Sequence, residues 1–301
     1  MTDIAQWNAT HGIAKQVQFI NGKGNMPVAE IKNDLGRASI ALQGAHVLDF
    51  QANGEAPLLW MSEDATFAPG KSLRGGVPIC WPWFGPNDSD SNLPGHGPAR
   101  TANWKPVTTE AMEDGRTLAI FELIESDRTR QSCPHPLRVQ LHVKVGHSLS
   151  LALETTNLGA TSFTLGEALH TYFYVSDVRE AKIEGLENCE YIDKIDAGQR
   201  KQQHGVVRIN SETDRIYLGT GNCCNIVDPV MKRKILIRSE GSASTVVWNP
   251  WVEQAEKMGD LGPEGYLHML CVETANAASN VVQLEAEETH RMVADYSSEP
   301  L

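Results

Sequence analysis

Short β-prone runs punctuated by glycine, asparagine, aspartate and proline recur along nearly the whole chain, and this recurrence limits the fold more than any other feature. Ala38 to Leu42, Leu118 to Leu123, Arg138 to Val145 and Leu149 to Thr155 are examples. Runs this short, so regularly interrupted, pair as antiparallel strands. His142 to Ser150 alternates on both sides of Gly146 and reads as a hairpin. Lys234 to Arg238 and Ser244 to Trp248 flank Ser239-Glu240-Gly241-Ser242 in the same way, which predicts a second one. Helical signal is scarce; its best case is Trp251 to Met258, stopping at Gly259. No linker, charge block or repeat marks a boundary. Residues 1–301 therefore read as one all-β domain, a large antiparallel β-sandwich of two packed sheets with very little helix.

Charge narrows the ligand. With 26 Lys and Arg against 38 Asp and Glu, the formal charge is −12, the wrong sign for a nucleic-acid or anionic-membrane surface. An anionic ligand must then meet a local cationic pocket. Met1 to Trp7 shows no basic region leading into an apolar core, and nowhere do about eighteen apolar residues run together. The six cysteines lack paired Cys-x-x-Cys spacing. The expectation is a cytoplasmic monomer with reduced thiols. The ten histidines include no His-Glu-x-x-His set, so neither metal nor other cofactor is expected.

Three segments carry candidate chemistry. In Tyr266 to Thr274, strand alternation places Leu267, Met269, Cys271 and Glu273 on one face. Burial among such neighbours raises a carboxyl pKa and suits Glu273 to proton abstraction, although a strand-end Glu turned to water before the loop 275–279 satisfies the same pattern. Leu73 to Pro86 mixes aromatics with Gly and Pro and is no regular strand or helix. It folds inward as a ligand-facing wall or packs as a rigid loop, and packing alone leaves Arg74 unexplained. Leu93 to Arg100 brackets His96 with glycines and ends in Arg100. Two guanidinium groups on neighbouring loops form either an anion site or ordinary solvated charges. Leu165 to Val175 reads as a strand with His170 on the face of Ala168, Tyr172 and Tyr174, either a proton shuttle or a hydrogen-bonded core histidine.

The ordered set resembles a known family. Its carriers are Arg74-Gly75-Gly76-Val77-Pro78 with the following Trp-Pro-Trp-Phe-Gly-Pro, His96-Gly97-Pro98-Ala99-Arg100, Leu169-His170-Thr171-Tyr172-Phe173, Thr213-Asp214-Arg215-Ile216-Tyr217, Val247-Trp248-Asn249-Pro250 and Cys271-Val272-Glu273-Thr274. Together they resemble the glucose-6-phosphate 1-epimerases, hexose-phosphate mutarotases within the aldose 1-epimerase (galactose mutarotase-like) superfamily. The resemblance implies that fold, His170 as general acid and Glu273 as general base. It also implies Arg74 and Arg100 on a sugar phosphate, and Asp214 and His96 as further substrate contacts. Some members carry a glutamine where this chain has Gly95. The rivals are an aldose 1-epimerase acting on unphosphorylated sugars and a non-catalytic carbohydrate-binding protein with Trp81, Trp83 and Trp248 as a stacking platform.

Anomer exchange needs no cofactor. The C1 hydroxyl loses a proton while the ring oxygen gains one, the ring opens, and closure on the other face inverts C1. The expected arrangement is His170 facing Glu273 across one cavity at hexose-ring separation, with the guanidinium groups at its far end. Glu273 is expected to be raised by its apolar strand and His170 kept cationic by a carboxylate or phosphate, giving a bell-shaped pH dependence near neutrality.

Overall fold

The structure, a computed structural model, describes residues 4–87 and 89–301; the first three residues of the amino-terminal stretch read above lie outside it. Two large antiparallel sheets dominate. The nine-stranded sheet runs Val207–Arg208, Lys182–Glu184, Cys223–Asp228, Arg233–Glu240, Thr289–Pro300, Leu149–Asn157, Leu137–Val145, Thr117–Leu123, Trp104–Ala111. The eight-stranded sheet runs Gln199–Gln202, Glu190–Asp193, Thr213–Leu218, Ser244–Asn249, Met269–Asn276, Glu167–Leu169, Ile79–Cys80, with Tyr172–Tyr174 also paired to Met269–Asn276. A four-stranded sheet formed by Val17–Asn21, Pro27–Lys32, Gly36–Ala41 and His46–Ala52 adds to the same apolar core. No helix among the described residues is long and apolar enough to cross a membrane.

The two large sheets pack face to face. Trp81 donates its indole N–H to Thr155 Oγ1 at 3.0 Å. The Thr171 hydroxyl lies 2.7 Å from the Tyr296 hydroxyl, and Phe173 meets the Tyr296 ring edge-on at 5.1 Å. Along Met269–Asn276 the side chains alternate. Leu270 and Val272 enter the core between the sheets, whereas Met269, Cys271 and Ala275 enter smaller clusters on the outer face. Both faces are covered, so every residue of this strand is buried, including Glu273 at 1 % exposure.

Several expectations meet corrections. The Gly146 hairpin forms, with Val145 opposite Leu149, and the Trp251–Met258 helix stops at Gly259 as read. The second hairpin does not form. Arg233–Glu240 pairs with Cys223–Asp228 and Thr289–Pro300, while Ser244–Asn249 pairs with Thr213–Leu218 and Met269–Asn276. The connection thus crosses from one sheet to the other. Gly241 permits this at φ +70°, where a Cβ would sit 2.1 Å from the Arg291 carbonyl oxygen. Leu267 lies in a 3₁₀ turn, and the Glu273 strand starts at Met269. The His170 segment is broken into Phe163–Leu165, Glu167–Leu169 and Tyr172–Tyr174, leaving His170 at the break between the last two. The Leu73 to Pro86 loop contains a two-residue strand, Ile79–Cys80, that pairs with Glu167–Leu169.

Candidate active site

On the outer face of the eight-stranded sheet, register builds a row of side chains. Asp214 pairs with Trp248, Trp248 with Cys271, and Cys271 with Tyr172. Directly paired residues project to the same face. In the next row Ile216 pairs with Val246, and Val246 with Glu273. Two loops and a helix wall this face. The His96 amide donates to the Gly85 carbonyl at 2.7 Å, and the His96 carbonyl accepts from the Trp81 amide at 3.2 Å, tying the loops together. Gly97 is required here, since a Cβ at its φ of +71° would lie 1.9 Å from the Trp81 carbonyl oxygen. Asn249 holds the helix wall. Its Oδ1 accepts from the Trp251 amide, and its Nδ2 donates to the carbonyls of Tyr266 and Met269.

The result is a cleft of about 230 Å³, the size for a small metabolite rather than a polymer. Arg74, His96, Arg100, His170, Asp214 and Glu273 all line it, so every site residue expected from sequence converges. Lys194, Phe84, Gln254 and Met258 line it as well. Of these, Lys194 was missed and bears a charge. Trp81 and Trp83 do not serve as a platform: Trp81 is in the core, and the Trp83 indole donates to the Pro94 carbonyl at 3.1 Å. Trp248 and Phe84 supply the aromatic surface instead.

His170 Nδ1 lies 3.3 Å from Glu273 Oε1. The contact is not an aligned hydrogen bond, and Nδ1 and Glu273 Oε2 are buried without a hydrogen-bond partner among the described residues. The two groups are thus neighbours, not opposite walls a ring's width apart. Chemistry accounts for the correction: the C1 hydroxyl oxygen and the ring oxygen are bonded to the same carbon, so the groups serving them belong side by side.

Electrostatics push both members toward neutrality. Burial, then the charge of Asp214, holds the Glu273 carboxyl well above the usual range, partly offset by Lys194 and Arg100. Burial, then His96, Arg100 and Arg74, holds the His170 imidazole well below its usual value. The raised carboxyl was expected; the expectation of a cationic histidine is corrected, because among the described residues no carboxylate besides Glu273 reaches it while His96 and two guanidinium groups oppose its charge. His170 stacks on Tyr172 at 4.9 Å with planes 7° apart. Arg74 in turn donates from Nη1 to the Tyr172 hydroxyl at 2.9 Å and from Nε to Asp260 at 3.0 Å. Asp260, Arg74 and Tyr172 thereby brace the imidazole.

His96 is also neutral, brought down to about 3 by burial and then by Arg100 and Lys194. Its Nδ1 accepts from the Gly85 amide at 3.2 Å, which assigns the ring proton to Nε2 as a donor. Arg100 donates to the Gly95 carbonyl at 2.8 Å and has no carboxylate within ion-pair distance among the described residues. Asp214 pairs with Lys194 at 2.9 Å. Donor atoms of His170, Cys271 and Glu273 lie within 4.8 Å of one another, but burial keeps the Cys271 thiol protonated, the opposite of what a metal requires of a cysteine ligand. A larger recess of about 740 Å³ beyond Trp60 has carboxylates at Glu63, Asp64 and Glu264, yet none of the buried unpaired polar atoms lies in it.

Comparison with known proteins identifies the family of the whole chain. The Aldose 1-epimerase family matches residues 27–297. A protein of Escherichia coli (strain K12) named "Putative glucose-6-phosphate 1-epimerase" is 38% identical over 243 residues, 80% of this chain and 80% of that one. One of the same name from Cenchrus ciliaris is 34% identical over 266 residues, covering 85% and 80%. The crystal structure of a "putative mutarotase" from Salmonella typhimurium aligns with a TM-score of 0.89 at 32% identity, over 97% of this chain and 96% of that one.

Proposed function

The chain belongs to the aldose 1-epimerase family, and from that premise we propose that it interconverts the α and β anomers of a hexose 6-phosphate, glucose 6-phosphate foremost, with His170 and Glu273 as its acid–base pair. One observation carries the reading: an imidazole and a carboxyl 3.3 Å apart in a cleft that is also lined by Arg74, Arg100 and Lys194. The relatives' names supply the phosphorylated sugar.

The pair works as a unit holding one proton. In the resting site that proton is on Glu273, because burial favours both neutral forms. Moving it across the contact gives a carboxylate beside an imidazolium. Glu273 then takes the C1 hydroxyl proton while His170 donates to the ring oxygen. The ring opens to the aldehyde, C1 turns about the C1–C2 bond, and the reversed transfers close it with C1 inverted. Each positioned acid or base contributes roughly 10²- to 10⁴-fold.

The remaining groups fix the sugar. His96 offers a neutral N–H to a hydroxyl and Asp214 accepts from another, while Trp248 and Phe84 face the C–H surfaces. Arg100 is the principal phosphate ligand, since among the described residues no carboxylate lies within ion-pair distance of its guanidinium. Arg74 contributes the donors that Asp260 and Tyr172 leave over. Two-dimensional exchange NMR of the glucose 6-phosphate anomers tests the reading: cross-peaks should build faster with the protein than without. Saturable binding with no acceleration would reduce it to a carbohydrate-binding protein, and equal acceleration of free glucose would remove the phosphate from the reading.

A further inference from the structure

Resting on the hexose-phosphate reading, we infer that Lys194 is a phosphate ligand alongside Arg100 and a determinant of the preference for phosphorylated over free hexose. Its placement is built in. The Lys194 amide donates to the Asp214 carbonyl at 2.9 Å, extending the row that runs through Asp214, Trp248, Cys271 and Tyr172. The turn that follows is held by Asp193. Its Oδ1 accepts from the amides of Ile195 and Asp196 at 3.2 and 3.3 Å, its Oδ2 from Lys201 Nζ at 2.8 Å, and its carbonyl from the Gly198 amide at 2.9 Å. Lys194 is therefore presented to the cleft from a fixed backbone.

Counting charges and donors shows what it is presented for. A sugar phosphate carries about −1.5 to −2 near neutral pH, so a single guanidinium leaves it undercompensated. Arg74 is already engaged by Asp260 and the Tyr172 hydroxyl. Among the described residues, the Arg100 guanidinium donates only to a backbone carbonyl. The Lys194 ammonium has three donors, of which Asp214 Oδ2 takes one at 2.9 Å. The side chain is 36% exposed, so reaching an anion costs little desolvation. Its charge already acts inside the site, lowering both Glu273 and His96. With Lys194 shared between Asp214 and the phosphate, one residue would link the sugar hydroxyl contact to the anion contact.

The competing role is purely structural, in which Lys194 only orients Asp214. Lys194→Met and Lys194→Arg in the full chain separate the two. The measurements are anomer-exchange kinetics on glucose 6-phosphate and on glucose, with inhibition by inorganic phosphate. A lost charge-assisted hydrogen bond corresponds to roughly a 10- to 100-fold effect. Lys194→Met should lower the ratio of kcat/KM for phosphorylated over free sugar by about that factor, mainly through KM, and should weaken inhibition by inorganic phosphate. Lys194→Arg should restore most of both. Equal losses on the two sugars, with phosphate inhibition unchanged, would overturn the inference and leave Lys194 as a support for Asp214. The underlying reading fails separately, and visibly, if the parent protein itself shows no preference for the phosphorylated sugar.

Discussion

Replacing Glu273 by Gln preserves the shape of a side chain that is 1 % exposed and removes its ability to accept a proton, so activity and stability should move in opposite directions. Loss of a positioned base costs roughly 10²- to 10⁴-fold in rate, or about 3 to 5 kcal/mol in the barrier. The stability effect follows from the raised carboxyl pKa. A group whose folded pKa exceeds its unfolded value favours folding fully below the unfolded value, and that contribution is lost as pH rises through the folded one. Above both, each unit of separation costs the folded state about 1.4 kcal/mol. Gln has no such penalty, so Glu273→Gln should gain on the parent as pH climbs from the ordinary carboxylate value of 4.5. In a chain of this length 1 kcal/mol corresponds to about 1–2 °C of Tm.

Exchange NMR and thermal unfolding across the pH range read both effects on one sample. A variant within about tenfold of the parent rate would refute Glu273 as the base. A Tm difference that fails to widen with pH would refute the claim that this carboxyl is buried at a cost to the fold.

Three further outcomes are expected. Activity on free glucose, which avoids the phosphate's own ionisation near about 6, should show a broad plateau. With His170 pulled down and Glu273 pushed up, the two-proton pair that lacks a base appears only well below 6.5, and the proton-free pair that lacks an acid only well above 4.5; a narrow bell near neutrality would count against the shared proton. Arg100→Ala should weaken glucose 6-phosphate selectively, whereas Arg74→Ala, which also unbraces Tyr172 and His170, should slow both sugars; steady-state kinetics on the pair would expose the reverse pattern. His46 is fully buried, donates from Nε2 to the Gly75 carbonyl at 2.7 Å, and is brought down by burial from 6.5 to about 4. Its contribution to stability is present above 6.5 and is lost as pH falls through about 4, a total of about 3 kcal/mol. His46→Gln keeps a donor for Gly75, so urea midpoints should fall less on acidification than in the parent.

What the sequence disclosed and what it withheld divide along a physical line. Period-two alternation reports which face a side chain takes, and it placed Met269, Cys271 and Glu273 together; it carries no information on which strand lies alongside. The two runs around Gly241 alternate equally well as a hairpin or as a crossover, and only their partners, Thr289–Pro300 for one and Met269–Asn276 for the other, decide between them. Lys194 was invisible for the same reason. In Glu190 to Lys194 it is one more solvated lysine, and it becomes part of the cleft only when pairing sets it beside Asp214, twenty positions on. The indoles of Trp81 and Trp83 were misplaced because a loop has no period to say which way it faces.

His96, Arg100, His170 and Glu273 were legible through the motifs they share with a family, while the charge state of His170 was not. That state depends on burial and on guanidinium groups contributed by other segments, none of them sequence neighbours. The proposed acid and base thus came from resemblance, whereas the proposal that they share one proton rests on the 3.3 Å contact. The same contact makes the carboxyl and the imidazole poor candidates for independent titration. Burial, Asp214, His96 and the guanidinium groups set the two shifts, so a mutation of either partner should leave the survivor displaced in the same direction, Glu273 still raised or His170 still lowered, while the second titration step of the pair disappears.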